Sequence, residues 1–300
     1  MELNQIGLEI TESEINDCYA PSVMKELKPN DGEWDAAIQQ LSQKRISDLI
    51  RKFIFWWRRR TQKAIEISYS EQWKISFEDQ LESKKPIPNT WGDRCFFASS
   101  HGTKRVHLLH LYKILSVLKP EKVLEVGAGN GLNLFIMNAL LPEIKFHGSE
   151  LTTGGVEAAN NVIQQPGLPA AIIKFSPVEI KDPNSKKDIQ FDQRNAKSTG
   201  YDDNEFDVVF TIQALEQMQE IRDAVLHEMN RISKEYVIMI EPFNDYNTSS
   251  IRKNWKKSQN YFSLKVSQLE KYGLRPVYVT GNFPSKVSLG IGIVVAKKIQ

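Results

Sequence analysis

Glycine stands at Gly127, Gly129 and Gly131 in the string EKVLEVGAGNG, with carboxylates at Glu125 before it and Glu150 after it. Alternate glycines let backbone N–H groups approach a ligand closely, because no side chain intervenes. The run Val123 to Val126 just ahead of them reads as a buried strand. A dinucleotide fingerprint of the G-x-G-x-x-G type requires glycine where Leu132 stands, so the spacing argues against a nicotinamide or flavin enzyme. Glu150 ends a second apolar-rich run, KFHGSE, about twenty residues past the glycines, where nucleotide-binding α/β folds place a ribose-binding carboxylate. Both hydroxyls of a ribose can donate to one carboxylate, which makes Glu150 the strongest single candidate.

With Glu125 two residues before the first glycine, the E-x-G-x-G-x-G string resembles motif I of the Rossmann-like, class I S-adenosylmethionine (SAM) methyltransferases. The likeness continues in chain order. KFHGSE, Lys145 to Glu150, is similar to the second strand of that family; IQFDQRNAK, Ile189 to Lys197, to the third strand and the turn beside adenine. DNEFDVVFTIQALEQM, Asp203 to Met218, is similar to the fourth strand with its helix. The resemblance covers about the last two thirds of the chain and implies S-adenosyl-L-methionine as cofactor. On the first strand it implies contacts from Glu125, Gly127, Ala128, Gly129 and Gly131; farther on, from Glu150, Leu151, Asn195, Ala196 and Ile212. Relatives often carry an acid ahead of alanine at the adenine turn. Asn195 departs from that pattern, although its amide carbonyl can still accept from the adenine amino group.

These residues need a sheet to hold them. EYVIMIEP, Glu235 to Pro242, has the continuous apolar run of a buried parallel strand, RPVYVT, Arg275 to Thr280, precedes the last one, and VSLGIGIVVAKK, Val287 to Lys298, reads as a long last strand. Helical stretches lie between: GLNLFIMNALL, GGVEAANNVIQ, IRDAVLHEMNRI and SLKVSQLEKYGL, the last closing at Gly273. Alternating strands and helices predict an α/β, doubly wound Rossmann-like sheet, with ligands at the carboxyl ends of its strands. The resemblance implies seven strands, the last antiparallel.

A methyl transferred from a sulfonium is already electrophilic, so the residues must align an acceptor atom and exclude water. A hydroxyl acceptor also needs a base. His101, in a Ser-Ser-His-Gly loop, and Glu241, at the end of the fifth strand, are the catalytic candidates. In relatives the segments ahead of the first strand shape the acceptor pocket, so Trp91, Arg94, Phe96 and Phe97 are expected around it. The stretch Glu241 to Phe262 is longer than an ordinary strand-to-helix connection and offers Phe243, Tyr246, Arg252, Trp255 and Tyr261 as further pocket walls. Both nucleic-acid base classes are disfavoured: Thr211 to Ala214 stand where the amino-methylating enzymes carry an Asn/Asp-Pro-Pro-aromatic string, and the Pro-Cys nucleophile of the cytosine C5 enzymes is absent. His107 and His110 are three apart on a predicted helix, and Gln217 replaces a histidine used by some metal-dependent relatives, so no metal is expected.

The expected acceptor is therefore a small molecule, methylated on a hydroxyl oxygen. A protein or RNA acceptor, or a non-catalytic partner subunit, are the alternatives. Residues 1–100 fall outside the resemblance and read as an N-terminal helical accessory or lid region, leaving 101–300 as the methyltransferase domain. Glu33 to Ile67 carries apolar residues on one helical stripe, among them Ile38, Leu41, Ile46, Leu49, Ile50, Phe53, Trp56 and Trp57. Within it FIFWWRRR, Phe53 to Arg60, mixes aromatic and basic groups as nucleic-acid or membrane binders do; three arginines beside an inward stripe instead suggest a solvated edge. Pro86 and Pro88 predict an extended linker, and Lys104 to Leu118 a helix ending before Pro120. A hydrophobic content of 41% supports a sizeable core, and a net charge of +2 gives no reason to expect a polyanion partner. Cys18 and Cys95 make neither a disulfide framework nor a metal spacing. With no signal-like start and no apolar run of about 18 residues, a cytoplasmic protein without a membrane span is expected.

Overall fold

The computed structural model describes residues 2–54, 69–73, 75–82, 85–183 and 188–299. Trp56, Trp57 and Arg58 to Arg60 lie outside them, as does the rest of 55–68. The strands in chain order are β1 (Leu3–Asn4), β2 (Val23–Leu27), β3 (Ile87–Trp91), β4 (Arg94–Ala98), β5 (Lys122–Val126) and β6 (Lys145–Glu150). They continue as β7 (Ile189–Gln193), β8 (Phe206–Ile212), β9 (Ser233–Glu241), β10 (Leu274–Thr280), β11 (Ser285–Lys286) and β12 (Gly292–Lys298). The main sheet has the order β1-β10-β12-β9-β8-β5-β6-β7.

The first strand of the nucleotide half, β5, lies between β6 and β8 and is parallel to both. The order of strands therefore reverses at β5, and a crevice opens beyond its carboxyl end, where Gly127 begins. The α/β, doubly wound expectation holds, with β12 antiparallel to β9. The sheet has eight strands rather than seven, because Leu3 and Asn4 pair with Val279 and Tyr278 on its edge. Strands β5, β8 and β9 are buried almost throughout, as their unbroken apolar runs require when helices cover both faces.

Local chemistry fixes the helices. Helix Glu12–Tyr19 starts at a capping box in which the Thr11 side chain accepts from the Glu14 N–H and Glu14 accepts from the Thr11 N–H. Helix Gly102–Leu118 stops at Lys119, whose left-handed backbone (φ 49°) precedes Pro120. Gly273 closes the short helical turn Val266–Tyr272 at φ 72°, as its sequence position predicted. Inside the connection read as one long loop, Ser249 caps a further helix, Ser250–Gln259.

The N-terminal region is mixed rather than helical. Helix Gly32–Ile54 is there, but β2, β3 and β4 form a second, antiparallel sheet, and Pro88 sits in a strand, not a linker. That sheet is completed by β11, which comes from between β10 and β12. A boundary at residue 100 thus divides the sequence, while strands cross it in both directions. Among the described residues no helix is long and apolar enough to cross a membrane, and no group of His, Cys, Asp and Glu is arranged to hold a metal.

Candidate active site

Beyond the carboxyl ends of β5, β6 and β8 lies a cavity of about 240 Å³. The glycine turn forms its floor. Gly129 has φ +56°, and a Cβ there would stand 2.6 Å from the Trp73 ring, so the position excludes other residues on both counts. The turn is held from the next strand: Glu150 Oε2 accepts from the Gly129 N–H at 3.0 Å, while Oε1 accepts from the Thr152 N–H and hydroxyl at 2.9 and 2.8 Å. Thr152 in turn caps helix Thr153–Ile163 through the Gly155 N–H. Leu151, Ala196, Ile212, Met218 and Ile221 supply apolar wall, and Lys104, Asn130, Asn133, Arg194, Gln213 and Gln217 polar wall. Tyr69 and Trp73, 6.0 Å apart between ring centroids, close it from the N-terminal side.

A profile of the methyltransferase domain matches residues 118–278, which is more than half of the chain. The chain belongs to this methyltransferase family. It is a member of the class I SAM-dependent methyltransferase superfamily, as the motif order implied. No curated protein matches the chain. The [4+2]-cyclase SpnF shares the fold at a TM-score of 0.55 and 15% identity, over 80% of this chain and 96% of its own. A putative sarcosine dimethylglycine methyltransferase from Galdieria sulphuraria matches at a TM-score of 0.47 and 15% identity, over 66% and 86%. The mitomycin 7-O-methyltransferase MmcR matches at 0.47 and 13%, over 66% and 55%. That a cyclase shares this methyltransferase fold shows that the fold alone does not set the reaction.

Of the cofactor candidates, Gly127, Ala128, Gly129, Glu150, Leu151, Asn195, Ala196 and Ile212 line the cavity. Gly131 and Glu125 do not. Gly131 begins helix Leu132–Leu140 and is packed by the Phe191 and Phe135 rings. Glu125 is 1% exposed and accepts from Asn133 Nδ2 at 2.6 Å. Burial pushes its carboxyl up, against the Asn133 hydrogen bond and the charge of Lys104. Asn195 keeps its place, but its carbonyl oxygen accepts from the Lys197 N–H at 3.2 Å and is partly committed to its own turn.

The acceptor-side candidates need correction. Trp91 donates to Asn282 Oδ1 at 3.0 Å, Arg94 is engaged by Glu26 and Asn16, Phe96 packs on Tyr19, and Phe97 packs on Trp34 in the second sheet. Strand pairing from β3 to β4 carries all four away from the cavity. Phe243 is fully buried against Phe262. The Tyr246 ring is seated between Gly281 and Gly292, where any Cβ would overlap it, and the Tyr246 carbonyl lies against Gly290. Arg252 donates to the Tyr246 and Lys286 carbonyls at 2.8 and 2.9 Å, and Trp255 packs under the Arg45 guanidinium. His101 hydrogen-bonds Ser100 and abuts Phe175; burial, then the charges of Lys104 and Lys286, push its imidazole down to about 4. Glu241 accepts from the Ala214 and Leu215 N–H groups at 3.0 and 3.1 Å, behind the wall rather than in it. Both paired histidines are core residues packed on Phe283, His107 edge-on and His110 tilted.

Sequence reading missed Tyr69, Trp73 and Lys104. Tyr69 and Trp73 are four apart, a helical spacing, but nothing in their local pattern points at the glycine turn sixty residues away. Gln213 carries a signal visible only in the backbone: at φ 53° it is a non-glycine residue in the left-handed region, held by its N–H to the Ile240 carbonyl at 3.0 Å.

Proposed function

We propose that the protein is a SAM-dependent methyltransferase acting on a small-molecule acceptor, with a hydroxyl oxygen as the receiving atom. The observation that carries it is the glycine turn locked to Glu150: backbone is presented where no side chain fits, next to a carboxylate buried at the end of the second strand. These residues suit an adenosyl group, since apolar walls at Leu151, Ala196 and Ile212 adjoin that carboxylate. The bound cofactor would supply the electrophilic methyl.

This chain's own residues do the rest. Glu150 and the turn orient the nucleoside end, and Tyr69 and Trp73 exclude water from the cavity mouth. Proton removal needs a base near the wall at neutral pH. With His101 pushed to about 4 and Glu241 behind Ala214 and Leu215, we assign that role to Glu216, which adjoins the wall residues Gln213 and Gln217 without itself lining the cavity. Its Oε2 has no partner, and burial pushes the carboxyl up to about 7, the range a general base uses.

Half of the basic tract Arg252 to Lys257, the feature that suggested RNA, is committed to the fold, while Lys253 and Lys257 are exposed. Arg252 is spent on two carbonyls, and Lys256 donates to Pro242 O and Asn244 Oδ1. Neither is presented to a phosphate backbone. Calorimetry with SAM, its demethylated product and NADH tests the cofactor; mass spectrometry of cell extract incubated with isotope-labelled SAM names the acceptor. Binding of NADH with silent SAM would overturn the reading.

A further inference from the structure

In the sheet order β8-β5-β6-β7, Glu150 ends β6 and the Asn195–Ala196 turn follows β7, so a nucleoside held by them lies over β6 and β7. The cavity continues past that end toward β5 and β8, with Lys104, Asn133 and Gln213 among its polar walls. Asn133 stands in the first turn of helix Leu132–Leu140, just after the glycine turn that follows β5. It is 6% exposed, its Nδ2 donates to Glu125 Oε1 at 2.6 Å, and its Oδ1 is buried with no hydrogen-bond partner. Glu125 thus decides which atom of the amide is spent and which is left. A buried acceptor without a partner is costly, and on a residue that lines a cavity a ligand can relieve that cost.

Lys104 reaches the same cavity from the first turn of helix Gly102–Leu118, which packs against the helix bearing Asn133. Among the described residues its ammonium makes no hydrogen bond and no ion pair. The backbone that carries it is fixed on both sides: a Cβ at Gly102 would stand 2.6 Å from that of Ser22, and Arg105 donates to the Ser176 carbonyl at 2.9 Å. A half-buried ammonium with no hydrogen-bonded anion, on so rigid a support, is arranged to receive one.

An unpaired cation and an unpaired acceptor in one cavity match a zwitterion: a carboxylate accepts from the lysine, and an ammonium donates to the amide oxygen. A plain acid would use Lys104 and leave Asn133 Oδ1 unmet; a plain amine would do the reverse. A nucleoside seated at Glu150 with an amino acid on its 5′ side carries such a zwitterion toward β5.

We propose that Lys104 binds the α-carboxylate of the cofactor's amino-acid end and that Asn133 accepts from its α-ammonium, with Glu125 as the positioning residue that leaves the Asn133 oxygen free. This rests on the cavity being the cofactor site. The site then selects the intact cofactor over nucleosides that lack the amino-acid tail.

The test is calorimetry with S-adenosylhomocysteine, its decarboxylated analogue, its deaminated analogue, and 5′-methylthioadenosine, which has neither group. S-adenosylhomocysteine should bind about tenfold or more tighter than either singly deleted analogue, the worth of one hydrogen bond to a charged group. Lys104→Gln should erase the preference over the decarboxylated analogue and keep the preference over the deaminated one, while Lys104→Arg should keep most of both. Asn133→Leu, close in shape but without the amide, should do the converse of Lys104→Gln. Binding of 5′-methylthioadenosine should match the parent's in each variant, a constancy that damage to the fold would not give. S-adenosylhomocysteine that binds no tighter than 5′-methylthioadenosine, a carboxylate preference that survives Lys104→Gln, or an ammonium preference that survives Asn133→Leu would each overturn the proposal. If none of these compounds binds the parent, the cofactor reading itself fails.

Discussion

Gly129 and Glu150, twenty-one positions apart, are joined by one hydrogen bond of 3.0 Å from backbone N–H to Oε2. The carboxylate therefore holds the turn, and on the proposed function it also accepts from the ribose hydroxyls. Glu150→Ala should weaken SAM binding by roughly ten- to a hundredfold, the range for a hydrogen bond to a charged group. It should also lower the melting temperature, since the Thr152 contacts are lost with it. Unchanged affinity in calorimetry would remove Glu150 from the site.

Gly129→Val should abolish SAM binding while the far-ultraviolet circular dichroism stays that of the parent. The side chain would meet the Trp73 ring and strain a left-handed backbone, both confined to the turn. Adding Trp73→Ala relieves only the first, so the double variant should not recover. Full recovery of binding would mean that ring contact alone sets the requirement for glycine.

The proposed base gives a pH dependence. Loss of a proton from Glu216 near pH 7 should make kcat/KM rise through that pH and level off above it. Glu216→Gln should flatten the limb and lower the rate by about 10²–10⁴-fold with SAM affinity kept. A variant whose profile still bends near pH 7 would assign the base elsewhere.

Glu241 bears on stability instead. Burial, then the nearby Glu216, raise its carboxyl to about 8 from an ordinary 4.5. A raised acid stabilises the fold fully below about 4.5 and loses that contribution as pH climbs through about 8, at about 1.4 kcal/mol for each pH unit in between. Glu241→Gln keeps an oxygen for the Ala214 and Leu215 N–H groups and cannot ionise. Its melting temperature should gain on the parent's steadily from pH 5 to 8. Parallel melting curves would show that the carboxyl ionises normally.

The arginines Arg58 to Arg60 carry the remaining test of acceptor class. Changing all three to glutamine should leave SAM binding and methylation intact. RNA binding in the parent that weakens with salt, by about 0.7 log units per log unit of salt for each phosphate neutralised, and disappears in the variant would favour an RNA acceptor.

The glycine-turn side of the candidate cavity was legible because its determinants are local: a strand, alternate glycines, and an acid ending the next strand each read within a few residues. Glu150 and Gly129 needed only spacing. The acceptor half was not legible, because it depends on which surfaces tertiary packing brings over the cavity. Phe97 and Trp91 have pocket-like chemistry but belong to a second sheet that turns them away, and no pattern announced that sheet, whose last strand comes from residues 285–286. Lys104 was passed over beside His101, three positions earlier, since only the helix's rotation decides which of them meets the cavity.

Tyr246 lodged among Gly281, Gly290 and Gly292 has a consequence for how such a protein can diverge. Gly281 and Gly292 are closed to any side chain while that ring remains, and Gly290 is closed by the backbone carbonyl of residue 246 whatever side chain stands there. The segment between Gly281 and Gly292 is itself core and sheet, with Phe283 and Leu289 buried and Ser285–Lys286 paired to β3. One aromatic ring therefore holds glycine at two positions on either side of a stretch that the fold itself needs, so divergence here has to change ring and glycines together.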